Sequence, residues 1–170
     1  MTFTQKFRKT IVDSYEWLKQ IDTKTARTPI SPDKWSPIEI IGHLLDSANN
    51  NHRRFTLAQW KEDMIFQGYE QEKWVQAQNY RSANWFQLLE LWKLYNLHIC
   101  EIMEHTPPNR LKKKHNQHNL DKIAMRPVPK EESVTLVYFM EDYIFHLQHH
   151  LNQISTFIHP GDKVSSETGT

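Results

Sequence analysis

The most informative stretch of the chain is HLQHHLNQI, residues 146–154, which lies late in an apolar-periodic run from Glu132 to Ile158. This periodicity predicts a helix on which His146 and His150, four residues apart, project from the same side. On a helical wheel His150 falls on the apolar face, His146 on its rim, and His149 away from it, toward solvent. Two imidazoles one turn apart can bind a divalent metal ion, and a pair of hydrogen-bonded core histidines is an equally open interpretation.

A second helix with a matching polar border is predicted from Pro37 to about Trp60. It begins with a capping serine, a first-turn proline and a capping-box glutamate, in the stretch SPIE at residues 36–39. Polar side chains follow one border of its apolar face: His43, Ser47, Asn50 and Arg54. Helices with facing polar borders can hold a metal inside a bundle, so His43 is the best candidate for a third ligand. Taken singly, the last three of these side chains are interpreted as a solvated helix edge.

Two more amphipathic segments bring the number of long helices to four. They run from Phe3 to Ile21 and from Ser82 to about His105, where Pro107 and Pro108 end the second of them. The fold class predicted is therefore all-α, a four-helix bundle with long connections. One domain is expected over residues 1–160, followed by a polar C-terminal tail at residues 161–170.

The connections are predicted to lack regular structure. Residues 23–32 contain two X-Pro pairs that favour extended backbone, and residues 67–81 form an aromatic segment that could cover one end of the bundle. Residues 109–130 are polar, and His115 and His118 within them are interpreted as surface residues. The basic run Lys112–Lys114 is interpreted as a solvated patch, because the net charge of the chain is only +1.

Composition excludes several classes of protein. The balanced charge argues against nucleic acid as a partner, and no apolar run is long enough to cross a membrane. None of the four glycines belongs to a phosphate-binding loop. Cys100 is the only cysteine, so no disulfide can form within the chain, and its predicted role is buried packing. With no apolar leader segment at Met1, a cytoplasmic location is expected.

The two histidine-bearing stretches resemble the DinB/YfiT-like family of metal-dependent enzymes. They are KWSPIEIIGHLLDS at residues 34–47 and DYIFHLQHHLNQI at residues 142–154. The aromatic spacing of Tyr69, Trp74 and Tyr80, and the later stretch LWKLYN at residues 91–96, are also similar to this family. The resemblance extends over roughly residues 3–158, and the two histidine motifs together are its specific part.

The resemblance implies an up-down-down-up four-helix bundle, often dimeric. It implies one divalent metal ion, zinc or nickel, held by three histidines at the positions of His43, His146 and His150. Members of the family with known chemistry are thiol S-transferases and a thiol-dependent isomerase, and others are described as metal-dependent hydrolases. A small-molecule substrate, a low-molecular-weight thiol and a homodimer follow as expectations.

Two classes of function remain open from these residues. Three protein ligands leave a coordination position free, which is typical of a catalytic metal that activates water for hydrolysis or a thiol for transfer. Four side chains are candidates to orient ligands or substrate: Asp46, Ser47, Asn50 and Gln153. The alternative is a non-catalytic metal- or ligand-binding bundle, which predicts either full occupancy of the metal by protein ligands or a site without an adjoining cavity.

Overall fold

The computed structural model describes residues 1–160, so the tail predicted for residues 161–170 lies outside the described part of the chain. Four long helices make up the bundle, and shorter elements lie in the connections between them. The helices are α1 (Phe3–Leu18), α2 (Thr23–Arg27), α3 (Pro37–Ala58), α4 (Gln71–Gln78), α5 (Trp85–His105), α6 (Pro108–Lys112), α7 (Leu120–Ile123) and α8 (Leu136–Ile158). Two short strands are β1 (Lys114–His115) and β2 (Val134–Thr135).

The long helices α1, α3, α5 and α8 pack in a ring, in which α3 and α1 each contact both α5 and α8. Large aromatic side chains fill the space between them, including Phe7, Phe55, Trp92 and Phe139. Each such side chain removes much apolar surface from water, which is the main favourable contribution to folding. The all-α four-helix bundle predicted from periodicity is confirmed. The single domain proposed for residues 1–160 stays a prediction.

The start of α3 follows the predicted capping pattern. The Glu39 carboxylate accepts hydrogen bonds from the Ser36 backbone N–H at 2.9 Å and from the Ser36 hydroxyl at 2.6 Å. Arg81 also donates to this carboxylate, at 3.0 Å. These bonds fix the first turn of α3 and therefore the direction in which His43 projects two turns later.

Two other helix starts differ from the prediction. The helix α5 begins at Trp85 with Asn84 as its cap, rather than with Ser82, because Ser82 belongs to a short 3₁₀ turn. The helix α8 begins at Leu136, several residues after Glu132. Residues 134–135 instead form β2, which pairs with β1, and Thr135 caps the helix.

Two connections predicted to be irregular contain helices. Asp22 caps α2 by accepting from the Thr25 backbone N–H at 3.0 Å, so residues 23–27 are helical. Residues 71–78 form α4, which packs against α3. The aromatic connection at residues 67–81 is therefore an ordered helical segment lying along α3.

A close approach holds the end of this connection against α3. A Cβ atom at Gly42 would lie 2.2 Å from the ring of Tyr80, so only glycine leaves room for the tyrosine there. The Tyr80 hydroxyl donates to Asp46 Oδ1 at 2.6 Å, and the Gln78 amide donates to the same oxygen at 2.6 Å. Gly42 thus allows the connection to be hydrogen-bonded to α3 one turn after His43.

The surface positions predicted for His115 and His118 are wrong. Their exposed fractions are only 3% and 6%. His115 Nδ1 donates to the Glu62 carbonyl oxygen at 2.9 Å, and His118 Nε2 donates to the Glu132 carbonyl oxygen at 2.8 Å. Backbone oxygens from distant segments therefore satisfy these rings and bring residues 109–130 into the fold.

Cys100 is fully buried, as predicted, and its sulfur contacts the Thr4 carbonyl oxygen at 3.4 Å. Burial raises the pKa of this thiol to about 11. Among the described residues, no helix combines the length and the apolar character needed to cross a membrane.

Candidate metal centre

The helices α3 and α8 bring three histidines together inside the bundle. His43 projects from α3, and His146 and His150 project from successive turns of α8. One ring nitrogen from each lies within 4.8 Å of the other two, and the Nε2 atoms of His43 and His146 are 3.1 Å apart. Residues separated by about a hundred positions thus form one cluster of nitrogen donors.

Burial keeps the three rings uncharged. His43 is 0% exposed, and burial with the neighbouring His150 ring lowers its pKa to about 3. Burial and the adjacent imidazoles lower the pKa of His146 to about 2, and burial also lowers the pKa of His150. Neutral imidazole is the form that coordinates a metal ion, so the rings are in the metal-binding state at neutral pH.

A hydrogen-bond chain orients the ring of His150. Its Nδ1 lies 2.9 Å from Gln153 Oε1, which can only accept, so Nδ1 carries the proton. The Gln153 amide nitrogen in turn donates to His149 Nε2 at 3.1 Å. The unprotonated Nε2 of His150 is therefore the nitrogen left to bind a ligand, an arrangement common around metal-binding histidines.

The donor set fits a divalent metal ion. Tetrahedral nitrogen ligands at ordinary zinc distances are about 3.3 Å apart, close to the 3.1 Å between the Nε2 atoms of His43 and His146. The outer Nδ1 atoms of these two rings are buried without a hydrogen-bond partner among the described residues. Trp35 packs against the His43 ring with a centroid distance of 4.9 Å, which limits its rotation.

The four side chains predicted to support the site are not equally placed. Gln153 contacts His150, and Ser47 is buried and lines the cavity beside the histidines. Asp46 is directed to Tyr80 and Gln78 instead, and burial raises the pKa of its carboxyl. Asn50 is half-buried and donates to the Asp46 carbonyl oxygen at 2.9 Å, outside the histidine cluster. Of these four side chains, Gln153 is the one that forms a hydrogen bond to a histidine of the cluster.

A cavity of about 340 Å³ adjoins the cluster, with His146, His149 and His150 in its wall. This volume is sufficient for a small-molecule ligand. Phe139 and Tyr143 contribute apolar wall, and residues 122–125 cover one side. The cavity therefore reaches two of the three clustered histidines, His146 and His150, and does not include His43 in its described lining.

Sequence reasoning missed two residues of this cavity. Asp142 accepts from the backbone N–H groups of Met125 and Arg126 at 2.9 and 2.8 Å and from Arg126 Nε at 3.2 Å. It thereby fixes the segment that covers the cavity. Its position four residues before His146, on the same side of the helix, was the sequence feature that could have indicated this role.

Arg54, interpreted as solvated together with Ser47, is only 6% exposed. Burial of both overturns that interpretation, because residues 67–69 lie over this edge of α3.

A larger cavity of about 550 Å³ lies next to the first. Arg54 and Tyr69 line both cavities and so stand at the boundary between them. Its other walls come from α3 and from residues 65–70, which precede α4.

Comparison with known proteins supports the fold and the family. No family model matches the chain. Relatives from Bacillus mycoides (strain KBAB4) and Bacillus cereus (strain B4264), both named "putative metal-dependent hydrolase", are 30% identical over 59 residues. That match covers 35% of this chain and 34% of each relative, so the chain matches about a third of their length.

The solved structure of YfiT from Bacillus subtilis is similar over 92% of this chain and 87% of its own, with a TM-score of 0.71 and 18% sequence identity. That protein is described as "a probable metal-dependent hydrolase with an unusual four-helix bundle topology". The fold and the site thus define the class of protein as a helical bundle with the YfiT fold and a three-histidine cluster. The likeness to YfiT shows the fold, and the names of the relatives that match 59 residues agree with the family resemblance of the two histidine motifs.

Proposed function

We propose that this protein is a metal-dependent hydrolase of small molecules, with one divalent ion held by His43, His146 and His150. The observation that carries the proposal is the convergence of three ring nitrogens within 4.8 Å, beside a cavity that is lined by two of the three histidines, His146 and His150. The names of the curated relatives and of YfiT point in the same direction. Because those names describe metal-dependent proteins, they also support a divalent metal as the cofactor of this chain.

Each residue around the cluster has a definable task in such a reaction. The buried rings stay neutral and present nitrogen lone pairs, and Gln153 fixes the tautomer and orientation of His150. A bound divalent ion would supply Lewis acidity, polarising a substrate carbonyl or phosphoryl group and making water more acidic. Asp142 holds the segment that limits access of bulk water. Its oxygens are occupied by these bonds, so we do not assign it as a general base.

The cavity favours an enzyme over a non-catalytic bundle. A purely structural metal is normally enclosed by four protein ligands, whereas three histidines, two of which line a cavity, leave room for substrate. A non-catalytic bundle predicts full occupancy of the metal by protein ligands or a site without an adjoining cavity, and a cavity lined by His146 and His150 adjoins this cluster.

The finer expectations remain proposals. Zinc or nickel is the expected metal because of the family resemblance, since imidazole ligands also bind copper and iron and do not choose among these metals. Homodimerisation, a cytoplasmic location and use of a low-molecular-weight thiol rest on the sequence and its family resemblance. No contact in the described residues favours thiol transfer over hydrolysis.

The direct test is the metal content of the purified protein, measured by elemental analysis after incubation with zinc or nickel and removal of unbound ion. One equivalent is expected for wild type, and the variants His43→Ala and His150→Ala are each expected to lose nearly all of it. The matched control is His98→Ala, because His98 is an exposed histidine on α5 outside the cluster. Wild-type metal content in His43→Ala would refute the ligand assignment.

The reaction class can be tested on the metal-loaded protein with p-nitrophenyl acetate as an ester probe. Turnover that needs no thiol and is lost in His146→Ala supports hydrolysis. A parallel reaction supplies an epoxide with and without a low-molecular-weight thiol. Consumption of the epoxide only with thiol, together with an inert ester, would replace the proposed hydrolase by a thiol S-transferase.

A further inference from the structure

Arg54 is a buried cation that the proposed hydrolysis leaves without a task. Its side chain lies on α3 with an exposed fraction of 6%. Nη2 donates to the Gln67 carbonyl oxygen at 2.7 Å, and Nη1 donates to Asn51 Oδ1 at 3.4 Å. Both acceptors are uncharged, and burial lowers the pKa of Arg54. No carboxylate within residues 1–160 forms an ion pair with this guanidinium.

A buried cation without an anion is costly, because water that stabilised the charge is lost and no opposite charge replaces it. The guanidinium has five N–H donors in a planar fork, and two acceptors do not use all of them. An oxyanion with two oxygens in one plane matches the remaining donors. A ligand that brings such a group would therefore complete the charge and the hydrogen bonding of Arg54.

The position of Arg54 links it to the histidine cluster. It follows His43 by eleven residues, which is about three turns, so both project from the same side of α3. The Cα atoms are about 16 Å apart on this geometry, and the Arg54 side chain leans toward the helix N-terminus, in the direction of His43. Arg54 lines the same cavity as His146 and His150. One small molecule could therefore contact Arg54 with one group and the histidine cluster with another.

The other charged groups of this cavity do not neutralise Arg54. Asp142 is the one carboxylate in its described lining, and its oxygens already accept from Met125 and Arg126. Lys122, also in the lining, is exposed and adds positive charge. The interior of the cavity thus carries a single uncompensated positive charge beside an apolar wall.

We propose that Arg54 binds the carboxylate of the substrate, so that the physiological substrate is a small carboxylic acid. Its apolar part would lie along Phe139 and Tyr143, and its reacting bond would lie toward the histidines. A singly charged carboxylate balances one guanidinium, whereas a dianionic phosphate would bring excess negative charge near Asp142. Carboxylate binding by Arg54 is independent of the metal, and only the placement of the reacting bond rests on the proposed hydrolysis.

The test compares ligands of nearly equal shape and different charge, using isothermal titration calorimetry on wild-type protein as purified and after treatment with EDTA. Phenylacetate is the carboxylate probe, phenylacetamide its neutral analogue, and phenyl phosphate the dianionic probe. We expect phenylacetate to bind at least about tenfold more tightly than phenylacetamide in both preparations. Equal affinities would overturn the proposal. Tighter binding of phenyl phosphate than of phenylacetate would overturn the choice of carboxylate.

Variants assign the preference to one arginine. Arg54→Gln should remove the difference between phenylacetate and phenylacetamide, and Arg54→Lys should keep part of it, because lysine retains the charge without the planar fork. Arg53→Gln is the matched control, since Arg53 is the exposed neighbour on α3. An unchanged preference in Arg54→Gln, or its loss in Arg53→Gln, contradicts the assignment. If Arg54→Gln does not fold, as judged by circular dichroism, the preference for phenylacetate over phenylacetamide is compared between Arg54→Lys and wild type. A preference in Arg54→Lys equal to that of wild type then contradicts the assignment.

Failure of this proposal is distinguishable from failure of the hydrolase proposal. Loss of phenylacetate preference in Arg54→Gln with unchanged zinc content supports a substrate role beside an intact metal site. Phenylacetate preference in wild type that binds no zinc would uphold Arg54 and refute the metal centre. Normal zinc content without any preference for phenylacetate would uphold the metal centre and refute Arg54.

Discussion

Two groups of buried histidines in this molecule differ in what their ring nitrogens face. His115 and His118, from the connection between α5 and α8, point their nitrogens at backbone groups of other segments. His43, His146 and His150 bring ring nitrogens close to one another, and His146 and His150 also line a cavity. The first group is hydrogen-bonded to the backbone, whereas in the second group the Nε2 atoms of His43 and His146 face each other and their Nδ1 atoms have no hydrogen-bond partner within residues 1–160. Burial alone therefore does not distinguish a structural histidine from a candidate ligand.

The elements that carry the two groups explain this difference. His146 and His150 lie one turn apart on a long helix that packs against the helix of His43, so their directions are set by rigid elements. The segment of His115 and His118 is held through short strands and single hydrogen bonds. One group is positioned by helix packing, whereas the other helps to hold its own segment in place.

The sharpest test of this contrast is metal-induced stabilisation. Zinc at about a thousand times its dissociation constant should raise the free energy of unfolding of wild type by about 4 kcal/mol, because only the folded state has the assembled site. His146→Ala should show no such increase, and His118→Ala should retain it. Thermal unfolding with and without zinc measures both. A zinc-induced shift in His146→Ala comparable to wild type would erase the contrast.

For the other group, that of His115 and His118, we expect an effect on the stability of the metal-free protein. His118→Ala should lower the free energy of unfolding by about 2 kcal/mol, because the Glu132 carbonyl oxygen and the Leu120 N–H lose their partner. Urea denaturation of metal-free protein measures this change. His98→Ala is the control and should change stability by less than about 0.5 kcal/mol, since that side chain is exposed. If the two variants are equally stable, the structural role of His118 is wrong.

A smaller effect is expected from the residue that orients a candidate ligand. Gln153→Ala should weaken zinc binding about tenfold, because His150 loses the acceptor that fixes its tautomer. The matched control is Gln148→Ala, an exposed glutamine on the same helix. Competition with a colorimetric zinc chelator gives both affinities. Equal weakening by the two variants would show that helix stability, not ring orientation, is responsible.

The smallest effect is the pH dependence of the metal-free protein. His43 and His146 have folded-state pKa values of about 3 and about 2, below the ordinary value of 6.5, so the unfolded chain binds more protons as pH falls through 6.5. This contribution to stability is fully present well above pH 6.5 and is lost progressively as pH falls, with about 0.7 kcal/mol lost between about pH 7.5 and pH 6.5 for two such rings. Denaturation at several pH values checks this.

The variant His43→Asn removes one of the two rings. Its stability should fall less steeply with decreasing pH than that of wild type over the same interval. An identical slope in the two proteins would show that His43 is not the group responsible.

The bundle was predictable because the sequence features that define its helices lie within a few turns of one another along the chain. The apolar stripes of α3 and α8 are visible in a window of a few turns, and their polar borders indicated which histidines share a side. The capping residues at Ser36 and Glu39 located the start of α3. The existence and phase of these two helices and the relation of His146 to His150 therefore follow from neighbouring residues alone.

The parts that could not be predicted depend on distant segments. Residues 134–135 form a strand because they pair with residues 114–115, and nothing in their own neighbourhood excludes a helix. His118 is buried because the Glu132 carbonyl oxygen reaches it across the same pairing. Arg54 is buried because residues 67–69 lie over its edge of α3. The cavity beside the histidines likewise needs the segment held by Asp142, which hydropathy does not reveal.

The contact between Gly42 and Tyr80 has a consequence for how this chain can change. A single methyl group at position 42 would occupy the space of the tyrosine ring, so even alanine would separate the connection from the helix. That connection supplies Tyr69, which stands between the two cavities, and position 42 immediately precedes a proposed ligand. Because glycine has no Cβ, the segment that carries Tyr69 can pack directly against the backbone next to His43. A substitution at position 42 is therefore expected to change both the boundary between the two cavities and the backbone that carries His43.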